Sequence, residues 1–377
     1  MPGKTDVASA PVAGQADEPK KVEKKVTYDV NIPYKLSDAA VQGTRYPDYL
    51  PTWDKMWFEP LAPFAFEDPG LRVTDKTLPN LLGRPGVTVT DIQPGFASVV
   101  EGLQLSALDA AGRDELAFLI ARRKVLAFPA QDLIDAGPAA QRAFMRHFGK
   151  LNYQPVSGCV KGEPAFHVIH RHGNREEIAS YLEHQPTTTL WHQDVSYEIQ
   201  PPGYVLLGML EGPAVGGDTV FAAADEGYNR LSPAIQGFID KLTAVHTSAK
   251  MIGHAKAAGL PFRKDPVETR HPIVRVHPVT GRRCLFVNKE FLTRIEGLKA
   301  PESRLINDFL VNHLVTGHDF QARVKWQPGT VVMFDNRSLI HTASVDYLDD
   351  GGNAHPRHMF RLCAMAEKPI PVSPPAE

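Results

Sequence analysis

Cysteine is scarce: Cys159, Cys284 and Cys363 are the only three in 377 residues. Their odd number and wide spacing exclude a disulfide framework and a Cys-x-x-Cys zinc knuckle, and they fit a reducing compartment. An excess of either charge is also missing, with 41 basic against 43 acidic side chains and a net charge of -2. Such a chain has no positive field to hold a phosphate backbone, so nucleic acid is not an expected partner. No run approaches the roughly 18 apolar residues of a membrane span, and the polar stretch from Met1 to Lys25 lacks the apolar core of a signal peptide. The expectation is a cytoplasmic protein without a membrane partner. What remains is a globular composition, 43% apolar, enough for one large or two small domains.

Three regions differ in character. Residues 1–30 are rich in Ala, Pro, Lys, Glu and Gly with almost no aromatics, and read as a disordered tail. Residues 31–85 interleave Tyr46, Tyr49, Trp53, Trp57, Phe58, Phe64 and Phe66 with prolines that forbid long helices; they read as an arm wrapping a core, its aromatics used for packing. The core is expected over 86–377. Strand-like alternation follows Gly86, and helical spacing runs from Arg113 to Arg123 and from Pro138 to Phe148, with a buried strand at Lys124 to Phe128 between them. Short β-rich runs follow at Tyr204–Leu207, Thr219–Phe221, Ile273–Val276, Cys284–Val287 and Thr330–Phe334, with helical inserts at Gly227–Leu242 and Glu302–Val315. The pattern predicts a mainly β fold with helical inserts (α+β), a double-stranded β-helix or jelly roll, without internal repeats.

The chemistry concentrates in Trp191-His192-Gln193-Asp194-Val195. In an extended strand, residues i and i+2 project to one side, so His192 and Asp194 can reach one metal ion together. His341, beyond the run Val331–Phe334 and the polar turn Asp335-Asn336-Arg337, is the candidate third ligand. Two imidazoles and a carboxylate on one face of an octahedron form the triad of non-haem iron(II) oxygenases. A lone His-x-Asp is common by chance; the surrounding residues give it weight.

Those residues resemble the taurine/2-oxoglutarate dioxygenase (TauD/TfdA) family, in particular its fungal sulfonate dioxygenase branch. The likeness runs from Tyr46-Pro47-Asp48-Tyr49 to Pro369. It includes the His192 segment with Pro201-Pro202, Gly216-Gly217-Asp218-Thr219, Leu285-Phe286-Val287-Asn288, Asp335-Asn336-Arg337 with His341, and Arg357-His358-Met359-Phe360-Arg361. The resemblance implies Fe(II), 2-oxoglutarate and O2 as cofactor and cosubstrates, with succinate and CO2 formed as a substrate C–H bond is oxidised. It implies that Arg357 and Thr219 bind the distal carboxylate of 2-oxoglutarate, a task suited to a planar guanidinium. Gly216-Gly217 reads as a tight turn before a strand rather than a phosphate loop.

The likeness weakens at the substrate. Arg361 matches the family's sulfonate-binding arginine, but where the family carries His-x-His after Phe-Gly-x-Leu, this chain has Asn152-Tyr153-Gln154 behind Phe148-Gly149-Lys150-Leu151. Arg361 with Gln154, Tyr153 or Asn152 is therefore expected to hold an anionic small molecule, an amino acid, another carboxylate or a sulfonate; strict taurine specificity is the alternative. Asn288 and Phe291 are expected to line the pocket. His167, His170 and His172 read as one strand with exposed imidazoles, and His271 and His277 as structural. A zinc-dependent hydrolase and an inactive jelly-roll binding protein are competing readings, and a homo-oligomer remains open.

Overall fold

The computed structural model describes residues 38–54, 56–171, 179, 182–183, 186–187, 189–257, 259–348 and 356–372. The tail expected over 1–30, the first residues of the arm and His172 lie outside the described residues. Strand Pro202–Glu211 (PGYVLLGMLE) is the spine of the fold, buried along almost its whole length. Apolar side chains on both faces fit a strand covered on both sides. Tyr204, Leu206 and Leu210 enter one core with the helices, and Val205, Leu207 and Met209 enter the other.

Around it the main sheet is ordered Thr88–Asp91, Ser98–Glu101, Val125–Phe128, Val331–Asp335, Pro202–Glu211, Arg357–Met365 and Lys150–Leu151. Strand His167–Arg171 also pairs with Arg357–Met365. A three-stranded sheet, Gln321–Val324, Thr219–Ala223 and Leu339–Ala343, supplies part of the second core through Phe221, Leu339 and Ile340. Helix Ala110–Arg123 starts where the Asp109 carboxylate accepts from the Gly112 amide at 2.8 Å, and it packs on the other core with helix Gly137–Arg146. Mixed β-sheets with helices match the expected class.

The helix expected over Gly227 to Leu242 is two helices, Ala224–Asn229 and Pro233–Ile239. Pro233 has no N–H to continue the first, and Ser232 caps the second. Among the aromatics of residues 31–85, Tyr49 is buried with its hydroxyl donating to Gln141 Oε1 at 2.9 Å, whereas Trp57 is half exposed.

A buried charge network fixes the turn ahead of His341. Arg337, fully buried, bonds both oxygens of Asp335 at 2.8 and 2.7 Å, Asp68 at 2.5 Å and Glu367 at 3.1 Å. Burial opposes its charge, but these carboxylates more than offset that and raise its pKa further. His277 Nε2 stands 2.8 Å from Asp335, in the structural role expected of it.

Candidate active site

His192 and His341 face each other in a single antiparallel bridge, each amide donating to the other's carbonyl at 3.0 Å. His341 sits within strand Leu339–Ala343 opposite Phe221, so the second sheet delivers it. The His-x-Asp segment is not a strand, as its spacing had suggested: past His192 the chain turns at once, with Val195 at φ +39°. That is an uncommon conformation for a β-branched residue and marks local strain. Asn336 holds the turn, its Oδ1 accepting from the Asp194 amide at 2.7 Å and its Nδ2 donating to the Asp194 carbonyl at 3.0 Å.

One ligand atom from each of His192, Asp194 and His341 lies within 4.8 Å of the other two. His192 Nδ1 donates to the Leu190 carbonyl at 2.8 Å, leaving Nε2 as its ligand atom. Asp194 Oδ2 and His341 Nδ1 are buried without a hydrogen-bond partner. Burial and the neighbouring His192 push His341 down to about 3, which keeps it neutral as a ligand must be. Burial works to raise Asp194, but the Arg361 guanidinium and the imidazoles outweigh it and keep the carboxyl ionised. Two imidazoles and a carboxylate suit iron(II).

His192 and His341 border a cavity of about 320 Å³ whose wall also includes His167, Thr219, Arg357 and Arg361. Gly216 and Gly217, at φ +83° and +68°, make the expected tight turn; a Cβ on Gly217 would stand 3.3 Å from Arg357 Cδ. Arg357 donates to the Gly217 carbonyl at 2.9 Å and approaches Thr219 Oγ1 at 3.4 Å. Burial lowers Arg357 to about 10, so it remains a cation at neutral pH. Trp326 Nε1 also donates to Thr219 Oγ1, at 3.0 Å. With two N–H donors on its oxygen, the Thr219 hydroxyl is left to give its own proton to an acceptor such as a carboxylate.

The remaining expected residues divide. Arg361 is in the cavity wall, its Nη1 paired with Asp194 Oδ1. Asn152 is buried, its amide donating to the Cys363 carbonyl at 3.0 Å, which puts its side chain on the sheet face that carries Arg361. Gln154 is buried but not part of the cavity wall. Tyr153 is displaced from the expected position: 38% exposed, it stacks on Phe58 with ring centroids 4.6 Å apart. Asn288 and Phe291 do not line the cavity either. Asn288 bonds Gln193 and Ser196 at 3.0 and 3.1 Å, bracing the turn that follows His192 from behind, and Phe291 packs edge-on to His192 and Tyr197.

The expectation of exposed imidazoles fails at His167. This side chain lines the cavity directly across from Arg361 in the strand register, with Nδ1 buried and unpartnered. Burial and then Arg361 lower its pKa well below the usual value. Its opening tripeptide, His-Val-Ile, carries the alternation that puts His167 and Ile169 on one face, but nothing local says which face meets the site.

Behind the turn, His271 Nε2 donates to the Glu198 carbonyl at 2.9 Å, and burial lowers its pKa to about 3. An unfolded histidine takes up a proton near pH 6.5 and this one does not until about 3, so the unfolded state binds more protons in that window. Stability is therefore flat above about pH 6.5 and falls below it by roughly 1 kcal/mol per pH unit from this group alone. Urea denaturation of wild type and His271→Gln between pH 7.5 and 5 checks this, the variant showing the shallower decline.

A sequence model of the family described as "Taurine catabolism dioxygenase TauD, TfdA family" matches residues 88–363. The chain belongs to the TauD/TfdA dioxygenase family. Among its relatives, an alpha-ketoglutarate-dependent sulfonate dioxygenase of Saccharomyces cerevisiae is 38% identical over 340 residues, covering 89% of this chain and 81% of that one. The alpha-ketoglutarate-dependent dioxygenase cnsP of Penicillium expansum is 36% identical over 336 residues, covering 87% and 88%. The crystal structure of a putative alpha-ketoglutarate-dependent taurine dioxygenase from Burkholderia xenovorans superposes with a TM-score of 0.63 at 28% identity, covering 76% of this chain and 95% of that one. This TauD/TfdA protein is an oxidoreductase, a dioxygenase that uses iron(II), 2-oxoglutarate and O2. No helix among the described residues is long and apolar enough to cross a membrane.

Proposed function

We propose that His192, Asp194 and His341 hold the iron, that Arg357 and Thr219 bind the distal carboxylate of 2-oxoglutarate, and that the enzyme oxidises a C–H bond of a small organic anion. In this reading the two sheets around the site are the walls of a double-stranded β-helix, formed by the core of 86–377, and residues 31–85 are an arm laid against it. The observation that carries it is the meeting, around one cavity, of the two imidazoles of the three-ligand cluster with a buried guanidinium bonded to the neutral oxygens of Gly217 and Thr219. A zinc hydrolase leaves that buried cation without a task.

Iron(II) with 2-oxoglutarate and O2 supplies the oxidising power that takes hydrogen from a C–H bond, the cosubstrate leaving as succinate and CO2. The chain's own residues bind and orient. The Arg357 fork and the Thr219 proton fix one end of the cosubstrate, and Asn336 fixes the backbone of Asp194. Arg357 and Arg361 line the cavity, and none of its lining residues among those described is Asp or Glu. An iron dication and a 2-oxoglutarate dianion cancel, and Asp194 matches Arg361, so the chamber retains positive charge for an anionic substrate. Succinate release that needs Fe(II), O2 and an organic anion, and is not supported by Zn(II), is the expected result. Equal turnover with zinc, or none with any sulfonate, sulfate ester or carboxylate, overturns the reading.

A further inference from the structure

Asp194 reaches the two imidazoles through a turn that has to be held. Val195 stands at φ +39°, a conformation that a β-branched residue leaves unless its surroundings over-determine it. Asn336 grips the backbone of Asp194 from one side. On the other side lies a three-stranded sheet, Leu292–Ile295, Thr243–Thr247 and Glu268–Pro272, none of whose residues lines the cavity. In its antiparallel register His246 stands opposite both Leu292 and Thr269, so His246, Thr269 and, two residues on, His271 share one face.

That face, with the loop ahead of Leu292, meets segment 193–198 bond by bond. Asn288, fully buried, donates both hydrogens of Nδ2, to Gln193 Oε1 at 3.0 Å and to Ser196 Oγ at 3.1 Å. Its Oδ1 is engaged elsewhere, accepting from the Phe291 and Glu290 amides at 2.7 and 3.1 Å, which shapes its own loop. With Oγ already accepting, the Ser196 hydroxyl gives its own proton to His246 Nδ1, 2.9 Å away. The imidazole, held neutral by burial, therefore carries its hydrogen on Nε2, which is buried without a partner. Further along, the Thr269 hydroxyl donates to the Tyr197 carbonyl at 3.0 Å and His271 Nε2 to the Glu198 carbonyl at 2.9 Å.

Two features set this relay apart from ordinary packing. Its bonds end on the side chains of Gln193 and Ser196, one residue before and two after Asp194, so they bear on where that carboxylate points. The unpaired Nε2 is a cost that a hydrocarbon ring stacked on Phe286 in the same place would avoid. Fold stability alone gives no reason to keep an imidazole there; the acceptor it presents to Ser196 does.

We propose that Asn288 and Ser196, with His246 behind them, are positioning residues for Asp194: their hydrogen-bond relay holds the strained turn and keeps the carboxylate beside His192 and His341, where a divalent cation meets all three. This rests on the iron assignment above.

The test is calorimetric titration of Mn(II) into the full chain without 2-oxoglutarate, with urea denaturation of each metal-free variant beside it. Ser196→Ala deletes the shared oxygen alone. Asn288→Ser keeps a short oxygen for the Phe291 and Glu290 amides but loses both Nδ2 donors. Each is expected to weaken Mn(II) binding at least ~10-fold. The double variant is expected to lose less than the product of the two, because they break a common bond. Gln141→Ala separates this from destabilisation by itself, since it breaks buried bonds to Tyr49 and to the Leu133 and Ile134 carbonyls, away from the turn. It is expected to lower stability and leave Mn(II) affinity unchanged. A folded Ser196→Ala or Asn288→Ser protein with wild-type Mn(II) affinity overturns the proposal, as do losses that multiply in full or a loss of the same size in Gln141→Ala. Should one of the two relay variants not fold, the other decides. Asp194→Ala run alongside keeps the two readings apart. If it retains Mn(II), the ligand assignment falls; if it alone loses Mn(II), the assignment stands and the relay does not act on it.

Discussion

Asp194→Ala abolishes 2-oxoglutarate turnover and makes the metal-free protein less stable than wild type by about 3–5 kcal/mol. Both effects follow from one carboxylate with two duties. Its Oδ2 is buried without a partner, as a ligand atom awaiting a cation would be, while Oδ1 pairs with Arg361. Removing the carboxylate leaves a buried guanidinium uncompensated, since Arg361 is 8% exposed and Asp194 1%. Urea denaturation in the presence of a chelator reads the stability term. Adding Mn(II) at a hundred times its dissociation constant then stabilises wild type by about 2.7 kcal/mol and leaves the variant unmoved. A variant that still responds to Mn(II) refutes the assignment of Asp194 as ligand; one as stable as wild type without metal shows that Arg361 has another partner.

The His-x-Asp spacing was legible in sequence for a reason that proved incomplete. Alternation in a strand was the argument, yet the two side chains converge because His192 is pinned to His341 by a two-way backbone bridge and Asp194 is turned back by Val195 and held by Asn336. Asp335, Asn336 and Arg337 stood out as a block, but their separate tasks show only when Asp68, Asp194 and Glu367 come together from distant parts of the chain. The same limit hid His167 and Trp326. Each acts through a partner dozens to hundreds of positions away, set by strand register, and local periodicity carries no information about register. Proximity in sequence misled in the opposite direction. Tyr153 follows a segment of the right family pattern, Asn288 ends a matching block and Phe291 lies just past it, yet the first turns to Phe58 and the others back the turn after His192 rather than face the cavity. The broad class survived these errors, because strands such as Pro202–Glu211 and Val331–Asp335 are buried runs whose apolar character is independent of what they face.

Arg357→Ala is expected to separate function from stability in the way Asp194→Ala does not. A guanidinium that gives a carboxylate two charge-assisted hydrogen bonds contributes several kcal/mol, so 2-oxoglutarate binding weakens at least about 100-fold. Arg357→Lys recovers part of this, because an ammonium keeps the charge but not the planar fork. The ligand-free protein behaves differently. Arg357 bonds only neutral oxygens, and burial lowers its pKa to about 10, the direction expected where keeping the charge costs stability. Removing that charge leaves the stability of the ligand-free protein unchanged or raises it, the outcome for a residue kept for binding rather than folding. Calorimetric titration of 2-oxoglutarate into Mn(II)-loaded protein, paired with urea denaturation without ligand, measures both. A loss of several kcal/mol in the second experiment identifies Arg357 as a structural cation, and with it the cosubstrate assignment falls.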